Sequence, residues 1–165
     1  NIRRQFALTR AVYKISQDLR RTQDLGLSGQ NVEARGVKAK SFGVYIDLNS
    51  ATLGDKKYII YADIDGDQKY SAQSQDSCSQ KQIAEDCVIE TIDLSQAEAG
   101  VIISRITNPD DVQQIDINFK PPNPTITITS LSSGNRAQII FALESSDELT
   151  YRTVFVNIAG LIEIK

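Results

Sequence analysis

The stretch NIRRQFALTRAVYKISQDLRRTQD, residues 1–24, contains neither Gly nor Pro. Its Arg, Gln, Leu and Ala residues lose little side-chain freedom when they enter a helix. Gly26 follows, at the kind of position where a helix commonly ends in a left-handed residue. The sequence therefore predicts one long N-terminal helix, about 36 Å in length.

The apolar residues of this helix fall on two separate stripes. The first stripe has the i, i+4, i+7, i+11 spacing of a face that packs on a sheet of the same chain, and it consists of Leu8, Val12, Ile15 and Leu19. The second stripe lies about 130° around the helix and consists of Ile2, Phe6 and Tyr13. Two interpretations of the second stripe are open: a loop covers it or it is scattered surface apolarity, or it packs against other copies of the helix.

Charge is divided unevenly along the chain. Residues 1–40 carry nine basic and three acidic side chains, and residues 41–165 carry nine and 18, within a net charge of −3. The basic residues of the helix are Arg3, Arg4, Arg10, Lys14, Arg20 and Arg21. The first interpretation is that these basic residues form a solvated face of the helix. The functional alternatives are that they bind acidic partners, phospholipid headgroups or nucleic-acid phosphates.

After residue 40 the apolar pattern changes from a period of 3.6 to a period of 2. The predicted strands are Ser41–Leu48, Lys57–Asp63, Cys87–Leu94, Val101–Ile106, Gln114–Phe119, Thr125–Ser130, Ala137–Leu143, Arg152–Ile158 and Leu161–Lys165. Short consecutive strands without intervening helices imply antiparallel sheets.

These elements predict a single domain over residues 1–165. It divides into a helical stem (1–25), a linker (26–40) and a β-rich globular head (41–165). The expected fold class is α+β, with the long N-terminal helix packed on antiparallel β-sheet.

The two cysteines, Cys78 and Cys87, lie in a polar stretch. Free cysteines tend to be buried in apolar surroundings, so a disulfide is the favoured interpretation and free thiols in a cytosolic protein are the alternative. A bridge over this spacing contributes roughly 2.7 kcal/mol in the chain-entropy model. It would also indicate export to an oxidising compartment.

An acidic turn follows the second predicted strand and contains Asp63, Asp65 and Asp67. Carboxylates at alternating positions are suitable ligands for Ca²⁺, which takes six to eight oxygen atoms. Compared with an EF-hand loop, however, Gly66 is at position four instead of six, and Ser74 replaces the bidentate Glu. A tight hairpin, in which Asp65-Gly66 supplies the positive φ angles, is the alternative.

The sequence offers no support for an enzyme. The chain contains no His, which excludes His-based triads and His-ligated zinc or haem. Phosphate-cradling Gly loops and the Ser or Lys motifs of acyl-transfer enzymes are also missing. We predict no catalytic residues.

Four segments together resemble type IV pilin-like proteins, in particular the soluble part of pseudopilins and minor pilins of the GspH/FimT type. The segments are the basic helix with LTRA (8–11) and LRRTQD (19–24), FGVYIDL (42–48), YIIYAD (58–63) and VFVNIAGLIEI (154–164). The resemblance implies a pilin-like fold. It also implies a structural subunit of a type IV pilus or type II secretion pseudopilus-like filament.

In this family, subunits pack their N-terminal helices in the filament core, so the resemblance assigns Ile2, Phe6 and Tyr13 to the filament interface. The partners would be other pilin subunits and, before assembly, the cytoplasmic membrane. The family's leader and apolar membrane-spanning helix are expected upstream of Asn1. The expected location is the cell surface or an extracellular filament.

A surface binding module is the alternative function: a minor pilin for DNA uptake, or an adhesive head stabilised by calcium. Some FimT-like relatives are thought to take up DNA through basic residues near the C-terminus. Here that end is Glu163-Ile164-Lys165, with Arg152 as the other nearby cation. The sequence therefore argues against nucleic-acid binding.

Overall fold

Strands dominate the structure, a computed structural model that describes residues 2–122, 125–144 and 150–165. The helices are α1 (Ile2–Ser28) and α2 (Leu94–Ala97), and a 3-10 turn covers Gly54–Lys56. The strands are β1 (Glu33–Ala34), β2 (Val37–Lys38), β3 (Ser41–Asp47), β4 (Lys57–Asp63), β5 (Cys87–Asp93), β6 (Val101–Thr107), β7 (Asp111–Val112), β8 (Gln114–Lys120), β9 (Thr125–Thr129), β10 (Arg136–Leu143), β11 (Tyr151–Asn157) and β12 (Ile162–Ile164).

The nine strands predicted from the alternating pattern are all present, and their ends agree with the prediction to within one residue. The pattern was informative because most of these strands have one face in the core. Strand β10, for example, alternates buried and partly buried residues along nearly its whole length. The structure adds the short pair β1–β2, which lies in the predicted linker, and the short strand β7.

The strands form two antiparallel five-stranded sheets and one two-stranded sheet. The first large sheet has the order β5-β4-β3-β8-β9, and the second has the order β12-β11-β10-β6-β7. In each sheet the central pairing joins segments that are far apart in sequence: β3 pairs with β8, and β10 with β6. These sheets are called the first sheet and the second sheet below.

One apolar core is shared by both large sheets and the buried side of α1. The helix contributes the predicted first stripe, of which Leu8, Val12, Ile15 and Leu19 are each at most 1% exposed. Along its length α1 contacts β3 and β8 of the first sheet and β10, β11 and β12 of the second sheet. The helix therefore helps to join the two sheets.

The predicted fold class, α+β and pilin-like with the helix packed on antiparallel sheet, is wrong. Strands make up 41% of the structure and helices 22%, in three sheets, and this defines a β-rich domain. The physical reason lies in the core: apolar side chains of both large sheets and of one side of α1 form a single cluster. The helix forms no separate layer over a single sheet.

Helix α1 also continues past the predicted end at Gly26. It ends at Ser28, and Gly29, with φ of +60°, supplies the left-handed residue. Gly26 serves a different purpose, because a Cβ atom there would lie 2.9 Å from the carbonyl oxygen of Phe119. The glycine thus permits close approach of α1 to β8.

A long loop, residues 64–86, joins β4 to β5 and folds over the outer face of the first sheet. Here Tyr45, Ile59, Tyr61 and Val88 are buried in a second cluster, against which Tyr70 of the loop packs. The outer face of the first sheet is therefore covered as well, but with tyrosines and carboxylates among its residues.

Candidate functional site

Two regions of the structure contain the residues singled out in the sequence. The first is the helix face, defined as the exposed side of α1 that carries Ile2, Phe6 and Tyr13. These side chains are 71%, 58% and 57% exposed, respectively. No loop among the described residues covers them, whereas the first stripe, about 130° around the helix, is buried against the two large sheets.

Carboxylates of α1 itself and of the sheet region pair with three basic side chains of the helix. Ion pairs join Arg10 to Glu98, Lys14 to Asp18 and Arg21 to Glu90, each with a distance of 2.6 Å. The Arg10 guanidinium donates to both carboxylate oxygens of Glu98, at 2.6 and 2.7 Å. Two of these pairs, Arg10–Glu98 and Arg21–Glu90, join the basic N-terminal segment to the acidic remainder of the chain, whereas Lys14–Asp18 lies within α1.

The helix is also fixed to the first sheet by a buried polar contact that sequence analysis missed. Asp18 is 2% exposed, and its carboxylate accepts hydrogen bonds from the Tyr58 hydroxyl at 2.7 Å and from Lys14 at 2.6 Å. Burial, and secondly the Asp18 charge, raise the pKa of Tyr58. Because these donors satisfy Asp18, its carboxylate can be buried at the helix–sheet contact.

The second region is the aspartate cluster, defined as Asp63, Asp65, Asp67 and Asp86. One carboxylate oxygen from each residue lies within 4.8 Å of those of the other three. Asp63 ends β4, Asp65 and Asp67 lie in the turn after it, and Asp86 immediately precedes β5. The structure therefore brings together the three predicted residues and adds a fourth.

Strand register explains the position of Asp86. Cys87 of β5 lies opposite Ala62 of β4, so the residue before Cys87 comes next to the residue after Ala62. The position of Asp86 beside Asp63 could be predicted only by knowing that β4 pairs with β5, and a 23-residue loop separates these two strands. The alternative of a tight hairpin at Asp65-Gly66 is wrong in its strand pairing, since β4 pairs with β5 and not with a strand directly after the turn. The positive φ expected there is present at Gly66, at +88°.

Backbone donors hold the two buried carboxylates of the cluster. Asp63 accepts from the amides of Gly66 and Gln68 at 2.6 and 3.0 Å, and also from the Ser41 hydroxyl. Asp86 accepts from the Ile64 amide at 2.8 Å. These bonds fix the turn with its carboxylates directed toward one another.

Burial raises the pKa of both Asp63 and Asp86, and their hydrogen bonds oppose that rise only in part. The Asp65 charge raises the pKa of both further. Asp65 and Asp67 are exposed. An array of close, partly buried carboxylates suits a hard divalent cation, and Ca²⁺ is the one whose flexible oxygen coordination fits a loop. These four residues could hold it.

A disulfide between Cys78 and Cys87 closes the loop beside this cluster. Cys87 is fully buried at the start of β5, and Ser77 forms a bridge to Val88. Within the loop, the buried Lys81 donates to Glu85 and to the Ser74 carbonyl oxygen, at 2.5 and 2.6 Å. Covalent and polar contacts thus anchor the segment that carries Asp86.

At the C-terminal end, the structure brings together more cations than the sequence indicated. Arg136 lies over the ring of Phe155, with its guanidinium carbon 4.2 Å from the ring centroid, and the Lys165 ammonium lies 4.9 Å from it. Arg136 was not counted in the sequence argument because it is 29 residues before the C-terminus. Sheet pairing of β10 with β11 places it there.

Comparison with known proteins identifies no relative: no family model, no curated protein and no solved structure matches this chain. The resemblance to type IV pilin-like proteins remains a prediction from the sequence. Among the described residues, no helix combines the length and the apolar character required to cross a membrane.

Proposed function

We propose that this protein is a structural subunit of an extracellular filament, assembled through the helix face. The observation that carries the proposal is the exposure of Ile2, Phe6 and Tyr13 on one side of α1. Full burial of one large apolar side chain contributes roughly 1.5–3 kcal/mol, so three on one face provide a substantial driving force for association. No chemistry of its own is required for this function.

The proposed partners are other subunits of the same or a related kind. In its finer form, the proposal places the protein in a type IV pilus or type II secretion pseudopilus-like filament at the cell surface. The subunit would be held in the cytoplasmic membrane before assembly by a segment upstream of residue 1. The disulfide supports this placement, because such bonds persist in oxidising compartments.

Charged substitutions on the helix face test the proposal in the full-length gene product. We expect Phe6→Asp and Tyr13→Asp to abolish filaments seen by electron microscopy, because each places a carboxylate in an apolar contact. The melting temperature of the isolated chain should change little, since both side chains are exposed.

Leu131→Asp is the matched control, because Leu131 is 98% exposed in the loop between β9 and β10. It makes the same apolar-to-acidic change away from α1 and should leave filaments intact. Filaments that persist in both helix-face variants would contradict the proposal.

A surface binding module stabilised by calcium is the second candidate function. The observation that favours it is Asp86, which joins the three aspartates of the turn from a separate segment of chain. A bound cation would offset the repulsion among these carboxylates and should stabilise the loop over residues 64–86.

Calcium binding is tested by melting experiments on the purified chain. Addition of Ca²⁺ should raise the melting temperature and EDTA should reverse the rise, since a ligand that binds only the folded state stabilises it. Asp65→Asn should remove the response, whereas Asp55→Asn, a change at an exposed aspartate outside the cluster, should preserve it. Equal melting curves with Ca²⁺ and EDTA would exclude this candidate.

Nucleic-acid binding stays outside the proposal. The helix cations Arg10, Lys14 and Arg21 are already paired with carboxylates, and net charge is −3. Arg136 and Lys165 lie together at the Phe155 ring, so the prediction that the chain does not bind nucleic acid should be tested by a gel-shift assay with salt titration. Binding that weakens steeply with salt would overturn it, because phosphate contacts release counterions.

A further inference from the structure

The free edges of the two large sheets differ in how they are protected. The outer strand of a sheet exposes unpaired N–H and C=O groups, and proteins commonly block such an edge with charged side chains, a very short strand or a covering loop. The outer strands here are β5 and β9 of the first sheet and β7 and β12 of the second sheet. Their protection shows which edge could accept another strand.

Three of these edges are blocked. Strand β5 contains Glu90, and the loop over residues 64–86 reaches it through the bridge between Ser77 and Val88. Strand β7 has two residues, one of which is Asp111. Strand β12 has three residues, with Glu163 at its centre. An added strand would meet charge at each of them, and β7 and β12 are also too short to form a long ladder.

Strand β9 has none of these protections in the described part of the chain. Its sequence is Thr-Ile-Thr-Ile-Thr, and residues 121–135 around it contain no Asp, Glu, Lys or Arg. Among the described residues β9 pairs with β8 alone, and no backbone hydrogen bond from a loop reaches residues 126–129. Thr127, Ile128 and Thr129 are partly exposed. The outer edge of β9 therefore offers backbone donors and acceptors to another strand.

The sequence of β9 favours a second copy of itself as the added strand. It reads the same in both directions about Thr127, so antiparallel pairing centred there places Ile126 opposite Ile128 and threonines opposite threonines. Residues that lie opposite each other in antiparallel strands share a face of the sheet. The isoleucines of both copies would then lie on one face and the threonines on the other, as they do in β9 itself.

This register would also bury apolar surface that the single chain leaves partly exposed. Ile126 is buried in the core shared by the two sheets, whereas Ile128 packs against that core and is only partly buried. In the paired register Ile128 of each copy lies beside Ile126 of the other. Pairing would therefore extend the apolar core across the contact, and the opposed threonines would add cross-strand contacts on the other face.

Charge and chain geometry set the strength of the contact. The net charge of −3 opposes association, but the charge-free segment 121–135 keeps charged side chains out of the paired strands. Pro124 has no N–H group and therefore cannot extend the ladder beyond Thr125. The contact is thus confined to the five residues of β9 in each copy, which favours reversible association.

We propose that β9 is a dimerisation edge: β9 of a second copy adds to it in antiparallel register centred on Thr127 and joins the first sheets of both copies into one continuous sheet. The contact is isologous, because both copies use the same strand, and it therefore closes with two copies. This inference goes beyond filament assembly, since it uses none of the residues of the helix face.

Cysteine cross-linking of the purified chain tests the register. Thr127→Cys should form a covalent dimer under mild oxidation, because directly opposite Cβ atoms are roughly 4.5–5.5 Å apart, near the distance that a disulfide spans. Thr129→Cys is the matched control, since the two copies of this position would lie about 13 Å apart along the strands and should not cross-link. Non-reducing mass spectrometry distinguishes the dimer from the monomer with its own Cys78–Cys87 disulfide.

A charge swap at position 127 tests the contact without a covalent bond. Sedimentation velocity over a concentration series should show a reversible monomer–dimer equilibrium for the unmodified chain. Thr127→Lys and Thr127→Glu should each weaken dimerisation about fivefold or more, because like charges would lie directly opposite each other. An equimolar mixture of the two variants should restore dimers, since opposite charges then face each other. Melting curves check that each variant is folded.

Each outcome supports or overturns the proposal. A chain that stays monomeric at every concentration, a mixture that dimerises no better than either variant, or equal cross-linking at positions 127 and 129 would overturn it. A dimer that is lost in Phe6→Asp and kept in Thr127→Lys would belong to the helix face and would also overturn it. Filaments should persist in Thr127→Lys, so failure of this inference is distinguishable from failure of the assembly proposal.

Discussion

The two sides of helix α1 carry similar residues in opposite environments. On one side Leu8, Ile15 and Leu19 are at most 1% exposed between the two sheets, whereas on the other side Ile2 and Phe6 are more than half exposed. Burial of the first stripe against the sheets of the same chain stabilises the fold, and this explains why its residues are apolar. The second stripe contributes nothing to the isolated domain's core, so we infer that its burial occurs in an assembly.

The largest expected effect is on the buried side. Leu19→Ala should lower the free energy of unfolding by about 2–5 kcal/mol, the range for truncating a fully buried leucine. Urea unfolding measures the change. A loss below about 0.5 kcal/mol would show that this side of α1 is not part of the core and would break the comparison.

The pH dependence of stability should distinguish the buried carboxyl group of Asp116 from the buried apolar side chains. Burial raises the pKa of Asp116 to about 7, with the Asp67 and Asp86 charges as further causes. Between the ordinary carboxyl pKa and 7 the folded state binds more protons than the unfolded state, so the stability due to this group falls as pH rises through that window. The effect is roughly 1.4 kcal/mol for each pKa unit.

Asp116→Asn should remove this pH dependence when melting temperatures are measured from pH 4 to 7.5 in EDTA. The asparagine oxygen can still accept from the Tyr70 amide, as the Asp116 carboxylate does at 2.8 Å. Leu19→Ala is the contrasting variant, since it should lower stability at every pH alike. An unchanged pH profile in Asp116→Asn would contradict the assignment.

A smaller effect is expected where the buried side of α1 meets β4. Tyr58→Phe removes the donor to the buried Asp18 carboxylate and should cost about 1–3 kcal/mol, because it leaves a buried acceptor unsatisfied. Equilibrium unfolding checks this value. Stability equal to that of the unmodified chain would mean that Lys14 alone satisfies Asp18.

The smallest effect belongs to the exposed side. Arg10→Ala breaks the ion pair with Glu98, in which the arginine side chain is 62% exposed, and should change the free energy of unfolding least of these variants, because solvent screens an exposed pair. High salt should reduce the difference further, since exposed pairs are screened. A loss of stability as large as that of Leu19→Ala would place the Arg10 contact in the structural core instead.

The strand positions could be predicted from sequence because alternation reports which residues face a core. Alternation does not report which strands pair, and the pairings of β3 with β8 and β10 with β6 are long-range. For that reason the expected helix-on-sheet arrangement was wrong although its elements were present. The buried Asp18 was missed for a similar reason, as its partner Tyr58 lies 40 residues away.

The candidate metal site shows the same limit on a smaller scale. Asp63, Asp65 and Asp67 are close in sequence and could be grouped by their spacing. Asp86 joins them only through the register of β5 on β4. The contact between Tyr45 and Tyr70 was not predicted at all, because the two rings come together only when the loop folds over the sheet.

Thiol protection in the assembled state tests the central claim most directly. Both cysteines of residues 1–165 are paired in a disulfide, so Tyr13→Cys introduces the one reactive thiol of this range, on the helix face. The account predicts rapid alkylation of this thiol in the free chain and strong protection in filaments, whereas a thiol from Leu131→Cys should react rapidly in both. Equal reactivity of the thiol at position 13 in the free chain and in filaments would contradict assembly through this face.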